Sequence, residues 1–218
     1  MEKELKIHGR GKIRLRPDTV CADVTIEGLG KTCAEALTKA DEAFGRVKAS
    51  LVKAGFAEDA LKSADFRVNA RYENVRGEKG EWRQEFAGYE YRHALKLRFA
   101  ADNALLSACA SALAASGADP LLSFSYTVGD LSAARDWLLR EAVKDCAKKA
   151  LILAEAACVQ LKEIVRIDYA PQDKVFSSRP VQPMRLNAAE DGARAMSFDL
   201  SPDDIEAEDG VEIVWSIA

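Results

Sequence analysis

The stretch TVCADVTIEGLGKTCAEALTKADEAFGRVKASLVKAG, residues 19–55, decides the fold class because its hydrophobic period changes from two to about 3.6 along its length. Its first part alternates apolar and polar residues and predicts a half-buried strand with one apolar face: Val20, Ala22, Val24 and Ile26. Thr32 and Glu35 then form the pattern of a capping box, and Gly55 is typical of a helix end. Between them the apolar residues recur at steps of three and four: Leu37, Ala40, Phe44, Val47 and Leu51. The stretch therefore predicts a strand followed by an amphipathic helix that lies on a sheet.

Outside residues 19–55, the same hydrophobic periods, two for strands and about 3.6 for helices, predict the element order β-β-α-β-β-α-β-α-β-(arm)-β. Residues 66–72 and 89–99 alternate on either side of a polar turn at 77–80, which predicts a long antiparallel hairpin. Asp102 and Gly117 bracket a second helix, and Asp130 or Ser132 opens a third and longest one. The third helix carries an apolar, alanine-rich face: Trp137, Leu138, Ala142, Cys146, Ala150, Leu153 and Ala157.

These elements predict an α+β fold with β-β-α units, in which helices pack on a mixed or antiparallel sheet. Strands are expected at 120–128 and 163–169, and residues 211–217 alternate as a last strand that returns to the sheet. Residues 1–218 are expected to form a single domain. Residues 171–201 have weak periodicity and several prolines, which predicts an irregular arm within that domain.

The first strand is interrupted by Gly9-Arg10-Gly11, which predicts a bulge or a sharp bend. It also carries a basic run of Arg10, Lys12, Arg14 and Arg16. Asp23 and Glu27 of the next strand are the expected cross-strand partners of this run, and the functional alternative is a contact with an anion or a partner. The acidic stretch at 202–209 is interpreted as a solvated loop that leads into the last strand.

Composition excludes several classes of function. The formal net charge of −4 and pI near 5.4 argue against nucleic-acid binding, which depends on Lys and Arg neutralising phosphates. The N-terminal residues have no apolar segment typical of a signal peptide, and no apolar run approaches the roughly 20 residues of a membrane span. The sequence as written predicts a cytoplasmic protein.

Five cysteines at positions 21, 33, 109, 146 and 158 have no metal or redox spacing, so reduced and mostly buried thiols are expected. Cys21 is the thiol expected to be most exposed, because it lies on the polar side of its strand. Cationic neighbours would make it reactive, which keeps a redox-sensing role open.

Catalytic, metal-binding and cofactor-binding residues are predicted to be absent. Of the two histidines, His8 lies beside Gly9, and His93 lies on an apolar strand face, where a hydrogen bond to a tyrosine is expected. Gly9-Arg10-Gly11-Lys12 is not followed by a helix N-terminus, which a phosphate-binding loop requires. No nucleophile elbow and no His-Glu-x-x-His motif is present.

The order of several short motifs resembles the SIMPL-domain family over essentially the whole chain. The motifs are Gly9-x-Gly11-Lys12, Pro17-Asp18, Thr32-x-x-Glu35-Ala36, Gly55, Gly88-Tyr89, Gly117-Ala118, Phe124-Ser125, the helix with Ala142, Ala147, Lys148 and Ala150, and Ile205-Glu206-x-x-x-Gly210-Val211. The family includes YggE-like proteins of the bacterial periplasm that are linked to oxidative stress. The resemblance implies a bacterial α+β subunit that self-assembles, in some members into hollow rings, with no established enzymatic activity. Most bacterial members carry a leader peptide, which this sequence does not show.

Three functional hypotheses follow. The first is a non-enzymatic, homo-oligomeric scaffold or stress-associated interaction protein, which would use the hairpin and the arm for subunit contacts. The second is a small-molecule or peptide-binding module that uses an aromatic groove formed by Tyr72, Tyr89 and Tyr91. The third is an enzyme whose residues converge around His93, with a carboxylate from the arm.

Overall fold

The computed structural model describes residues 3–76, 81–170, 184–185 and 201–218. The elements are β1 (Lys3–Leu15), β2 (Thr19–Gly30), α1 (Cys33–Lys53), β3 (Lys62–Arg76), β4 (Trp82–Ala100), α2 (Asn103–Ala114), β5 (Leu121–Thr127), α3 (Ser132–Ala156), β6 (Leu161–Asp168), β7 (Met184–Arg185) and β8 (Ile205–Ile217). They form two antiparallel sheets with helices packed on them, so the predicted α+β class and element order are confirmed. No helix in the described part of the chain is long and apolar enough to cross a membrane.

The chain divides into two compact units, each with its own sheet. The first unit combines both ends of the sequence: its sheet has the order β1-β8-β6, and α3 packs on it. The second unit has the sheet order β3-β4-β2-β5-β7 together with α1 and α2. That residues 1–218 form one domain stays a prediction, and most of the 171–201 arm lies outside the described residues.

In the first unit, the central strand β8 pairs antiparallel with both neighbours. β1 lies beside β8 without a register shift from Lys3, opposite Ile217, to Leu15, opposite Ile205. The returning C-terminal strand is therefore confirmed, but it begins six residues earlier than predicted. The acidic residues from 205 onward belong to β8 rather than to a loop, which corrects the interpretation of 202–209.

The predicted bulge at Gly9-Arg10-Gly11 is wrong, because this stretch is regular strand. A Cβ atom at Gly9 would overlap the carbonyl oxygen of Ala142, and one at Gly11 would overlap that of Leu138. The two glycines therefore let the backbone of α3 approach β1 closely.

One face of α3 supplies most of the helix side of this core. Its buried residues recur every four positions: Ala134, Leu138, Ala142, Cys146, Ala150 and Ala154. Two residues that the sequence pattern placed on this face, Trp137 and Leu153, are instead 42% and 47% exposed. A face that repeats every four residues drifts around the helix relative to a 3.6-residue period, and the larger side chains fall on its flank.

In the second unit, the strand and helix of residues 19–55 form as predicted. The Glu35 amide donates to the Thr32 hydroxyl at 3.2 Å, while the Glu35 carboxylate accepts from the Lys31 amide at 2.9 Å rather than from that of Thr32. Gly55 has φ of +98°, which confirms the left-handed helix end. Leu37 is 46% exposed, so the buried face of α1 uses alanines where the sequence pattern suggested a leucine.

The predicted hairpin is β3 and β4, and it contains a bulge. The register shifts between Arg71, which is opposite Gly88, and Tyr72, which is opposite Phe86. Gly88 has φ of +137°, a conformation that favours glycine. Beyond the bulge the side-chain alternation of β4 changes by one residue, which brings Phe86 and Trp82 to the face that carries Tyr89 and Tyr91.

Candidate functional site

The outer face of the β1-β8-β6 sheet carries a ladder of opposite charges. β1 contributes cations at every second residue, and β8 contributes carboxylates. The ion pairs are Lys6–Glu212 (2.6 Å), His8–Glu212 (3.0 Å), Arg10–Glu208 (3.5 Å), Lys12–Glu208 (3.4 Å) and Arg14–Glu206 (2.9 Å). Cross-strand ion pairing of the basic run is thus present, but its predicted partners are wrong. Asp23 and Glu27 lie beside Lys96 and Arg92 of β4 instead, at 3.9 Å and 3.5 Å.

An open cavity of about 860 Å³ lies against this ladder, between the middle of β1 and β8 and the C-terminal end of β6. Titratable groups meet there: His8 contacts Glu212, and the Tyr169 hydroxyl donates to Asp209 at 2.9 Å. The hydrogen bond to the Asp209 carboxylate raises the pKa of Tyr169 above its usual range. Sequence reasoning missed this cavity because its residues are about 40 to 200 positions apart.

The charged groups of this cavity form a network of ion pairs on an open face of the sheet. His8 has 70% of its side chain exposed. Glu212 accepts from Lys6 as well and lies 4.0 Å from Arg166, so it contacts two cationic groups besides the imidazole of His8.

His93 is packed in an aromatic environment in the second unit. Its ring centroid lies 5.3 Å from that of Phe44 and 5.1 Å from that of Phe66, and its Nε2 lies 2.8 Å from the Ser63 hydroxyl. Burial lowers the pKa of His93. The predicted hydrogen bond to a tyrosine is wrong, since serine is the partner. The carboxylate that the third hypothesis would bring from the arm lies outside the described residues.

All five cysteines are free thiols, but their exposure differs from expectation. Cys109 and Cys146 are buried, Cys21 is half-buried, and Cys33 and Cys158 are exposed. Cys21 is therefore not the most exposed thiol. No group of three or more His, Cys, Asp or Glu residues in the described ranges is placed to hold a metal ion.

The aromatic face of the hairpin is partly covered. Tyr91 is buried beside Ala36 and Ala40 of α1, so it does not line a groove. Further along, Tyr72, Phe86 and Trp82 are 59%, 50% and 70% exposed. The Tyr72 and Phe86 rings meet edge to face at 5.7 Å, and the predicted aromatic groove is an exposed surface row.

Strand β6 is an outer strand of its sheet and is exposed on both faces. Ile164, Val165 and Ile167 are 52%, 50% and 55% exposed. The sequence pattern indicated the strand but not this exposure, because apolar residues in a strand are usually taken as core.

Comparison with protein families gives one match. The model described as "SIMPL: Protein of unknown function (DUF541)" matches residues 5–215. No curated protein matches the chain.

Proposed function

The chain belongs to the SIMPL family, and from that premise we propose that it is a non-enzymatic protein that assembles with further copies of itself through strand β6. Exposed apolar side chains on an outer strand carry this proposal. Outer strands with free backbone groups pair readily with another strand, and proteins normally protect them.

The opposite edge of the same sheet is protected. On β1, the Arg10 amide donates to the Asp145 carboxylate at 2.9 Å, and the Lys149 ammonium donates to the His8 carbonyl at 3.1 Å. Asp145 and Lys149 are themselves an ion pair at 2.7 Å, one turn apart on α3. These two side chains occupy two of the backbone groups that a further strand would need at the middle of β1, so we expect β6 to be the edge used in assembly.

The surface around β6 extends onto α3. Val143 and Leu151 lie on the flank of α3 opposite Asp145 and Lys149, which is the β6 side of the helix. Their side chains are 39% and 62% exposed. Together with Ile164 and Ile167 they form an apolar surface that a second copy would cover.

The charges of β6 favour a second copy as the partner. The register shift between Ile164 and Arg166 places Glu163 and Arg166 on the same face of β6. In an antiparallel pair that sets Ile164 opposite Val165 of the other copy, each Glu163 then lies opposite Arg166 of the other strand. The contact is therefore self-complementary and closes with twofold symmetry. Two three-stranded sheets would join into one of six strands.

Support for a non-enzymatic role comes from the open position of the titratable groups in the large cavity, where 70% of the His8 side chain is exposed. The titratable residues of the large cavity form ion pairs and hydrogen bonds with one another, as His8 does with Glu212. The stress-associated role stays a prediction from the family resemblance.

Sedimentation velocity at about 5–100 μM tests the assembly. We expect the wild type to form dimers or larger species and Ile164→Lys/Val165→Lys to sediment as a monomer, because two ammonium groups would be buried in the contact. Val52→Lys, at a residue of α1 with 44% exposure, is the matched control and should assemble as the wild type does. A monomeric wild type, or equal effects of the two substitutions, contradicts the proposal.

Charge reversal adds a sharper test of the register. Glu163→Arg should weaken the dimer by about tenfold because it places two cations opposite each other, and Glu163→Arg/Arg166→Glu should restore it. A double variant that is as weak as the single one would exclude this pairing.

A second candidate function is peptide binding by the exposed aromatic row of the hairpin. Large exposed apolar patches commonly mark binding sites, and Trp82 is 70% exposed here. Trp82 fluorescence should shift to shorter wavelength on titration with an apolar peptide. An unchanged spectrum in the presence of such peptides would remove this candidate.

A further inference from the structure

A second cavity, of about 550 Å³, lies between the free edge of β1 and the adjacent flank of α3. We call it the basic notch, after five cations that line it beside one tryptophan: Arg10, Lys12, Lys144, Lys148, Lys149 and Trp137. Its helix residues lie on the other flank of α3 from Val143, and it shares no residue with the proposed β6 contact.

Positive charge exceeds negative charge in the basic notch although the whole chain is acidic. Its two carboxylates are each paired with one lysine: Glu141 with Lys144 and Asp145 with Lys149, both at 2.7 Å. Hydrogen bonds from Lys149 and from the Arg10 amide lower the pKa of Asp145, so this carboxylate stays charged and keeps Lys149 in place.

The remaining cations are only weakly neutralised. Arg10 and Lys12 share the single carboxylate of Glu208, at 3.5 Å and 3.4 Å, so one negative charge faces two positive ones. Lys148 forms no ion pair with any residue in the described ranges. Cations from both a strand and a helix are thereby available to an anionic ligand.

Trp137 supplies an aromatic surface among these cations. It is 42% exposed although the helix has a buried face close by, so its ring contributes to the cavity wall rather than to the core. An indole stacks on planar rings, and base–aromatic stacking contributes about 1–3 kcal/mol per base in nucleic-acid-binding proteins. The cavity volume lies within the range of about 300–1,000 Å³ that small-molecule sites occupy.

We propose that the basic notch binds an aromatic ring that carries several phosphate groups, the chemistry of a nucleoside polyphosphate. The ring stacks on Trp137, and the phosphates are held by Lys148 together with the unsatisfied charge of Arg10 and Lys12. The site is open, so the expected affinity is micromolar to millimolar and depends strongly on salt.

Titration with adenosine triphosphate, without divalent cations, tests the site through tryptophan fluorescence. The Trp82→Phe protein leaves Trp137 as the exposed reporter, because Trp215 is 5% exposed. We expect saturable quenching, with at least about tenfold weaker binding of adenosine and of inorganic tripolyphosphate. Adenosine that binds as tightly as the triphosphate would exclude a role for the cations, and tripolyphosphate that does so would exclude a role for Trp137.

Substitutions locate the binding. Lys148→Glu should weaken binding by about tenfold, measured by calorimetry, whereas Lys62→Glu, at an exposed lysine of β3 outside the notch, should change it by less than about twofold. Circular dichroism checks that both variants are folded. Equal weakening by the two variants, or no quenching in the parent protein, overturns the proposal.

Discussion

Replacing Gly11 by alanine tests how β1 packs on α3. The new Cβ would overlap the carbonyl oxygen of Leu138 and come within 2.9 Å of its carbonyl carbon. These are backbone atoms of a helix, so no side-chain rotation relieves the overlap and the whole helix must move from the sheet. Such overpacking costs about 3 kcal/mol, the upper end of the usual range, because the obstacle is rigid.

The same substitution at Gly45 is the matched control. Gly45 lies inside α1, and a Cβ there would have no neighbour within 4 Å. Alanine should therefore stabilise the protein by about 0.5–1 kcal/mol, because it restricts the unfolded chain and favours the helix. Replacing glycine by alanine is therefore expected to lower the free energy of unfolding at position 11 and to raise it at position 45.

Urea unfolding measures both effects. The fluorescence of the buried Trp215 follows the unit that contains β1 and therefore reports Gly11→Ala. Circular dichroism follows the whole protein and therefore also reports Gly45→Ala. Gly11→Ala should lower the unfolding midpoint, and the Trp215 signal should change at lower urea than in the wild type. Equal midpoints for Gly11→Ala and the wild type would refute the close approach of strand and helix that the structure shows.

Further predictions concern charge, thiols and a helix cap. Asp145→Asn should destabilise the protein above pH 4 and have progressively less effect as the pH falls below 3.8, because the lowered pKa of Asp145 stabilises the fold only while the carboxylate is ionised; urea unfolding between pH 3 and pH 6 measures this. A thiol reagent should label Cys33 and Cys158 rapidly and Cys109 only on unfolding, since burial raises the pKa of Cys109 to about 12; mass spectrometry after timed quenching reads out the order. Thr32→Ala should cost about 1 kcal/mol of stability by removing the cap of α1, as measured by urea unfolding.

Each of these has an outcome that contradicts it. If the free energy of unfolding differs between the wild type and Asp145→Asn by the same amount at pH 3 and at pH 6, the ionised Asp145 carboxylate does not stabilise the fold. Labelling of Cys109 at the rate of Cys33 would show that the core around α2 opens freely. Thr38→Ala serves as the control for Thr32, because Thr38 lies inside α1, and an equal loss at both sites would mean that no specific cap exists.

Sequence motifs whose residues lie within a few positions of each other predicted the local secondary structure well. Thr32, Glu35 and Gly55 placed both ends of α1, because caps act over three or four residues. Alternation also identified the apolar faces of β2 and β4. The hydrophobic pattern was less accurate where contacts between distant segments determine the residue type. Gly9 and Gly11 were interpreted as a bulge, whereas they allow the close approach of α3 to β1.

Strand partners could not be inferred from periodicity. Alternation fixes which side of β1 is polar but not which strand lies beside it, so the adjacent β2 was preferred to β8, about 200 residues away. A basic run such as Arg10 to Arg14 and an acidic stretch such as Glu206 to Glu212 are complementary in charge, and that complementarity was the available signal. The exposed cavity depends on this distant pairing, and the basic notch depends on the packing of β1 beside α3, which periodicity does not give either.

The pairing of β1 with β8 also has a consequence for synthesis on the ribosome. β1 leaves the ribosome about 190 residues before β8, which at roughly 5–20 residues per second is a delay of about 10–40 seconds. During that time a strand-forming segment has no native partner. Its alternating lysines and arginines repel identical nascent chains and so act as gatekeepers against aggregation until the glutamates of β8 arrive.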